Sequence, residues 1–127
     1  MCATDLIDYG CPDSESRIDF LLEQRCREDV EAIVTNPPFK LAGEFVAHAL
    51  RLCPLVFMLL RLSFLESERR AGILDNGQLQ RVHVFRKRLP MMHRHGWSGP
   101  RTKSSALAFA WFVWNRHHAG PAELVRL

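Results

Sequence analysis

Several features are missing from this sequence, and each absence excludes something. No two of its glycines stand in G-x-G spacing, so the usual fingerprint of a backbone cradle for a phosphate or dinucleotide is absent. Cys2, Cys11, Cys26 and Cys53 include no C-x-x-C pair, and no histidine pair follows them at finger spacing, which excludes a zinc finger. They read as reduced thiols of a cytoplasmic protein rather than a disulfide framework. Asp5 and Asp8 interrupt the start, so it does not read as a signal peptide. The apolar runs, Leu55 to Leu60 and Ala106 to Trp114 among them, are far too short to cross a bilayer. There is no internal repeat and no low-complexity segment.

What remains is an ordinary globular balance. The 127 residues are 47% hydrophobic and 24% charged, with a net charge of +3. That length suits one domain, or part of one, with a modest core. The charge is unevenly placed. Up to Val30 the chain is acid-rich (Asp5, Asp8, Asp13, Glu15, Asp19, Glu23, Glu28, Asp29). From Arg81 to Lys103 it is basic (Arg81, Arg86, Lys87, Arg88, Arg94, Arg101, Lys103). The two blocks suit either two solvated faces or two binding roles on one body.

Hydrophobic periodicity orders the elements. "MCATDLI" predicts a short strand, and "ESRIDFLLEQ" is ambiguous between helix and strand. "EAIVTN" predicts a strand of the continuously apolar kind found inside parallel sheets. "KLAGEFVAHALRLC" predicts a helix with Leu41, Phe45, Ala49 and Leu52 on its apolar face, ended by Pro54. "LVFMLLR" predicts a second fully buried strand. "SFLESERRAGILDNG" predicts a helix with Ser63 as N-cap and Glu66 completing a capping box, stopped at Asn76-Gly77. Its Glu66, Glu68, Arg69 and Arg70 read as a solvated face. "RVHVFR", "ALAFAWFVWNR" and "AELVRL" predict three further strands, with Trp111, Phe112 and Trp114 in the core. The alternation predicts an α/β domain with a mostly parallel sheet and an antiparallel pair at its C-terminal edge. Between the last long strands lies a basic loop, Lys87 to Ser105, carrying His93, His95 and Trp97. It has the chemistry either to grip phosphates and stack a base or to lie solvated with Trp97 on the core. With no acid or cysteine nearby, His93 and His95 do not make a metal site.

One stretch carries specific chemistry. In "AIVTNPPFK" an apolar strand stops at Asn36 and two prolines. Pro37 and Pro38 fix two φ angles and keep the residues before them extended. The Asn36 amide oxygen and the Pro37 carbonyl are acceptors that can converge on a planar amino group. Such acceptors favour the positive charge that grows on its nitrogen as it attacks an electrophile. Phe39 offers a flat face for stacking. A plain strand-to-helix turn is the alternative for the same residues.

"NPPF" after a strand resembles the (Asn/Asp/Ser)-Pro-Pro-(Tyr/Phe) motif of class I S-adenosylmethionine-dependent amino-methyltransferases, chiefly the adenine-N6 DNA methyltransferases. The run through "MLLRLSFLESERR", "RVHVFRKRLPMMHRHGWSGP" and "FAWFVWNR" is similar to phage- and prophage-type members. The resemblance implies a single, partial Rossmann-like domain over residues 1–127. It implies methyl transfer from S-adenosylmethionine to an exocyclic amine, most naturally adenine N6 in DNA. Asn36, Pro37, Pro38 and Phe39 would form the amine site. Asp5 would hold the cofactor ribose, Asp19 its adenine with Phe20 beside it, and DNA would lie along the basic loop Lys87 to Lys103. A protein glutamine N5-methyltransferase and an inactive nucleic-acid-binding remnant are the alternatives. The family's first strand and Gly-rich loop belong before Asp5, and the sequence opens inside what resembles the second strand, so the resemblance implies an N-terminally truncated product. Calorimetry on the purified chain is expected to register weak or no binding of S-adenosylmethionine, and micromolar affinity would overturn that expectation.

Overall fold

The computed structural model describes residues 3–4, 14–15, 21, 30–87 and 107–127. Two sheets are present among them. Strands β1 (Ala3–Thr4) and β2 (Ser14–Glu15) form a short parallel pair. The larger sheet is built from β3 (Ala32–Thr35), β4 (Leu55–Arg61), β5 (Leu79–Val84), β6 (Phe109–Asn115) and β7 (Glu123–Arg126). Its order is β3-β4-β6-β5-β7. Helix α1 (Ala42–Leu52) links β3 to β4, and the short helix α2 (Ala71–Leu74) precedes β5. The domain is therefore α/β with mixed pairing.

β3 and β4 are parallel, as a strand-helix-strand crossover requires. β6 is antiparallel to both its neighbours, and β7 is parallel to β5. The expected antiparallel pair does form, but not at an edge. β6 lies inside the sheet between β4 and β5, and the edge belongs to β7. The physical reason is apolar content. β6 carries Phe112, Val113 and Trp114, all buried, whereas β7 is four residues long with Leu124 69% exposed. The more apolar strand takes the interior place, with a neighbour on each side.

The core lies on one face of this sheet. Ile33, Val56, Met58, Leu60, Ala110, Phe112 and Trp114 point toward it, joined by Ala42, Val46, Ala49 and Leu50 of α1 and by Ile73 and Leu74 of α2. β4 alternates half-buried and buried positions and is not buried on both faces as the sequence suggests. β3 is an edge strand of this sheet, and Val34 is 64% exposed, so this run too is less buried than its composition suggests. A bulge between Leu79 and Arg81 lets both Leu79 and Val82 turn inward. The apolar face of α1 is rotated from its expected position. Leu41 is outside the helix, in a 3-10 turn (Phe39–Leu41), and is exposed. The buried face is instead Ala42, Val46, Ala49 and Leu50.

The expected second helix is replaced by two 3-10 turns (Leu62–Leu65 and Glu68–Arg70) and the single turn of α2. Ser63 does not cap a helix. It lies inside the first turn, where its carbonyl accepts the Glu66 N–H at 2.9 Å. Burial of Phe64 overrides the capping pattern. Phe64 is fully buried, edge-on to Phe112 (centroids 5.6 Å apart) and to Trp114 (6.2 Å). Phe112 and Trp114 are stacked at 5.7 Å, and the Trp114 indole N–H donates to the Ile73 carbonyl at 2.7 Å. The Asn76-Gly77 stop forms as expected, with Gly77 at φ 84° and the Asn76 Oδ1 accepting the Gln78 N–H at 2.9 Å. Replacing Phe64 by Ala removes the ring on which this cluster converges. The expected loss is about 3–5 kcal/mol of unfolding free energy in a urea titration.

Candidate functional site

β3 and β4 run in one direction, so their carboxyl ends share one edge of the sheet. Open α/β sheets place ligands at that edge. Asn36 to Phe39 leave β3 there. Asn36 is exposed, and its side-chain amide makes no hydrogen bond among the described residues. Pro37 is buried and anchors the turn. Pro38 has φ −56° and ψ 132°, the extended backbone that a proline prefers. It caps the 3-10 turn Phe39–Leu41, and its carbonyl accepts the Leu41 N–H at 3.0 Å. The Pro37 carbonyl accepts no hydrogen bond from the described residues. Two acceptors at the mouth of the sheet, the Asn36 Oδ1 and the Pro37 carbonyl, are thus uncommitted, while the next carbonyl is used by the turn.

Phe39 is 38% exposed, and one of its faces is occupied. Arg61, the last residue of β4, places its guanidinium 4.1 Å from the Phe39 ring centroid. Arg70 lies 6.0 Å from the same ring and 4.2 Å from the Phe64 ring, and its Nη1 donates to the Phe64 carbonyl at 3.1 Å. Arg70 is half-buried. It therefore does not belong to the solvated face expected for it. Neither arginine is paired with a carboxylate among the described residues. Arg61 carries no local sequence signal of this role, since it comes 22 positions after Phe39 and only the parallel crossover brings the two together.

Of the other expected site residues, Asp5, Asp19 and Phe20 lie outside the described residues. So does the loop from Arg88 to Ser105, with His93, His95 and Trp97; Lys87 at its start is exposed. Among the described residues no group of three His, Cys, Asp or Glu side chains could hold a metal, and Cys53 is a buried free thiol. A cleft of about 500 Å³ lined by Leu50, Arg51, Ile73, Asn76, Gln78 and Arg116 lies at the opposite end of the parallel strands. A second cleft lies beside Gly77 and Gly120. Neither involves Asn36. No helix among the described residues is long and apolar enough to cross a membrane.

No family model, curated protein or solved structure matches the chain.

The Arg61 and Phe39 contact is measurable by itself. A double-mutant cycle with Arg61→Gln and Phe39→Leu, read by urea unfolding, is expected to give a coupling of about 0.5–1 kcal/mol, as for a partly exposed cation–π pair.

Proposed function

We propose that Asn36, Pro37, Pro38 and Phe39 are the amine-binding half of an amino-methyltransferase-like site, with adenine N6 in DNA as the target. The observation that carries this reading is the pair of uncommitted acceptors beside an exposed ring, at the carboxyl end of a parallel strand. The Asn36 Oδ1 and the Pro37 carbonyl would each accept one amino hydrogen. That orients the nitrogen lone pair outward and favours the charge it gains on attack. Phe39 would take the base on its open side. A base in a duplex must first be flipped out of the stack to reach this edge.

The sheet order also supports the reading. In the doubly wound order 3-2-1-4-5-6, removing the first strand leaves a parallel pair and a separate sheet that starts with two parallel strands. The pair β1-β2 and the sheet beginning β3-β4 are divided in this way. S-adenosylmethionine, when bound, supplies an electrophilic methyl group. The residues at Asn36 suit the amine and not the cofactor, whose expected contacts are Asp5, Asp19 and Phe20. A second reading is favoured by the position of the clefts, both away from Asn36. In that reading Asn-Pro-Pro only turns the chain, and the domain is a remnant without catalysis.

Binding separates the two without requiring the cofactor. A single-stranded oligonucleotide with one adenine is expected to bind about tenfold more tightly than the same strand with N6,N6-dimethyladenine, which has no amino hydrogen to donate. That ratio corresponds to about 1.4 kcal/mol. Asn36→Ala should abolish the difference. Equal binding of the two strands by the unaltered chain would leave the turn reading. Transfer of labelled methyl from S-adenosylmethionine to the adenine is the direct assay. There Asn36→Ala should cost about 10²–10³-fold in rate, as removal of a charge-stabilising polar group does.

A further inference from the structure

We propose that Arg61 and Arg70 form a binding site for backbone phosphate of a single-stranded nucleic acid, beside the Phe39 ring. The proposal rests on the nucleic-acid reading above and deepens it. Both guanidiniums lie on aromatic faces, and among the described residues neither is held by a carboxylate. Arg61 lies on Phe39 at 4.1 Å, and Arg70 lies on Phe64 at 4.2 Å with one donor bonded to the Phe64 carbonyl. A guanidinium has five N–H donors. Arg70 commits one of its own to the protein, and Arg61 commits none among the described residues. Glu66 and Glu68 lie in the intervening turns, yet neither forms an ion pair with Arg61 or Arg70. Exposed Lys40 and Arg69 add positive charge nearby in sequence.

Pre-oriented guanidiniums with free donor edges match the geometry of a phosphate, which accepts bidentate pairs. A nucleotide carries a flat π-face and an anion on one unit. The open part of the Phe39 ring suits the first and the two arginines suit the second. Base stacking on an aromatic ring with cationic contacts to the backbone is the usual way to hold a single strand. An acidic peptide supplies the anion but no flat face.

The probe is a fluorescein-labelled single strand of about 12 nucleotides, in an adenine-containing and a fully abasic form, with anisotropy measured across a salt series. Each phosphate contact in a single strand contributes about 0.7 to the slope of log affinity against log salt. Arg61→Gln and Arg70→Gln are each expected to flatten the slope by that amount on both strands. Asn36→Ala should leave the slope unchanged. Circular dichroism checks folding. Should Arg70→Gln fail to fold for want of its bond to Phe64, the Arg61 variant decides, since Arg61 makes no such bond. An unchanged slope in Arg61→Gln overturns the proposal, as does the absence of any binding. Displacement of the strand by polyglutamate of matched charge as readily as by unlabelled strand also overturns it and assigns the surface to an acidic protein. If the preference for adenine over dimethyladenine is absent but the abasic slope still depends on Arg61, the phosphate site stands and only the amine reading falls. The opposite pattern removes the phosphate site alone.

Discussion

The burial of Phe64 couples the core of this domain to the mouth of its sheet. Phe64 sits edge-on to Phe112 and Trp114, and those two rings stack on each other. Aromatic pairs at such angles gain about 0.5–1.5 kcal/mol beyond the area they bury. To reach that position the chain must turn inward immediately after β4, which ends at Arg61. In place of a continuous helix starting near Ser63, the chain forms 3-10 turns, with Phe64 fully buried in the first. The same turn leaves Arg61 at the strand end over Phe39, and it brings Arg70 over the Phe64 ring. One buried side chain thereby sets the positions of two surface cations.

Linking core and mouth in this way limits what can vary. The Phe64 ring faces the packed interior on one side and the Arg70 guanidinium on another. Its carbonyl accepts from the same arginine. Smaller residues at 64 would loosen the aromatic cluster and the arginine together. By contrast, the exposed Val34 and Leu124 at the two edges of the sheet can change with little effect on either.

The sequence was most legible where a residue's environment depends on near neighbours. The apolar runs of β3, β4 and β6 and the helix between β3 and β4 follow from periodicity, and Asn76-Gly77 stops the chain as its chemistry dictates. Legibility failed where distant segments decide. Ser63 and Glu66 have capping-box spacing, but the need to bury Phe64 prevails. The apolar face of α1 was misplaced because Leu41 looks like a core residue until the prolines start a 3-10 turn and push it outside the helix. The interior place of β6 depends on its pairing with β4 and β5 at once, and the edge place of β7 on its adding to β5, which four mostly exposed residues give little sign of. Arg61, Phe39 and Arg70 share no window of sequence at all. Their proximity comes from the crossover through α1 together with the turn after β4.

The two prolines at the mouth have an effect beyond stiffness. Neither carries an N–H. Residues 37 and 38 therefore add no donors to the strand end, and acceptors there meet no competition from their own backbone. The first N–H groups of the following helical segment begin at Phe39, and the Leu41 N–H takes the Pro38 carbonyl. A single proline at 38 would leave an N–H at 37, able to fold back on a nearby oxygen. With both in place the Pro37 carbonyl and the exposed Asn36 amide take no hydrogen bond from the described residues. An Asp or Gly turn would reverse the chain as well, but it would supply donors at this position. The Asn-Pro-Pro turn thus presents two acceptors without backbone N–H groups from residues 37 and 38, next to a ring that a guanidinium covers. In the proposed reading it is this arrangement that would select a flat group donating hydrogens from one edge.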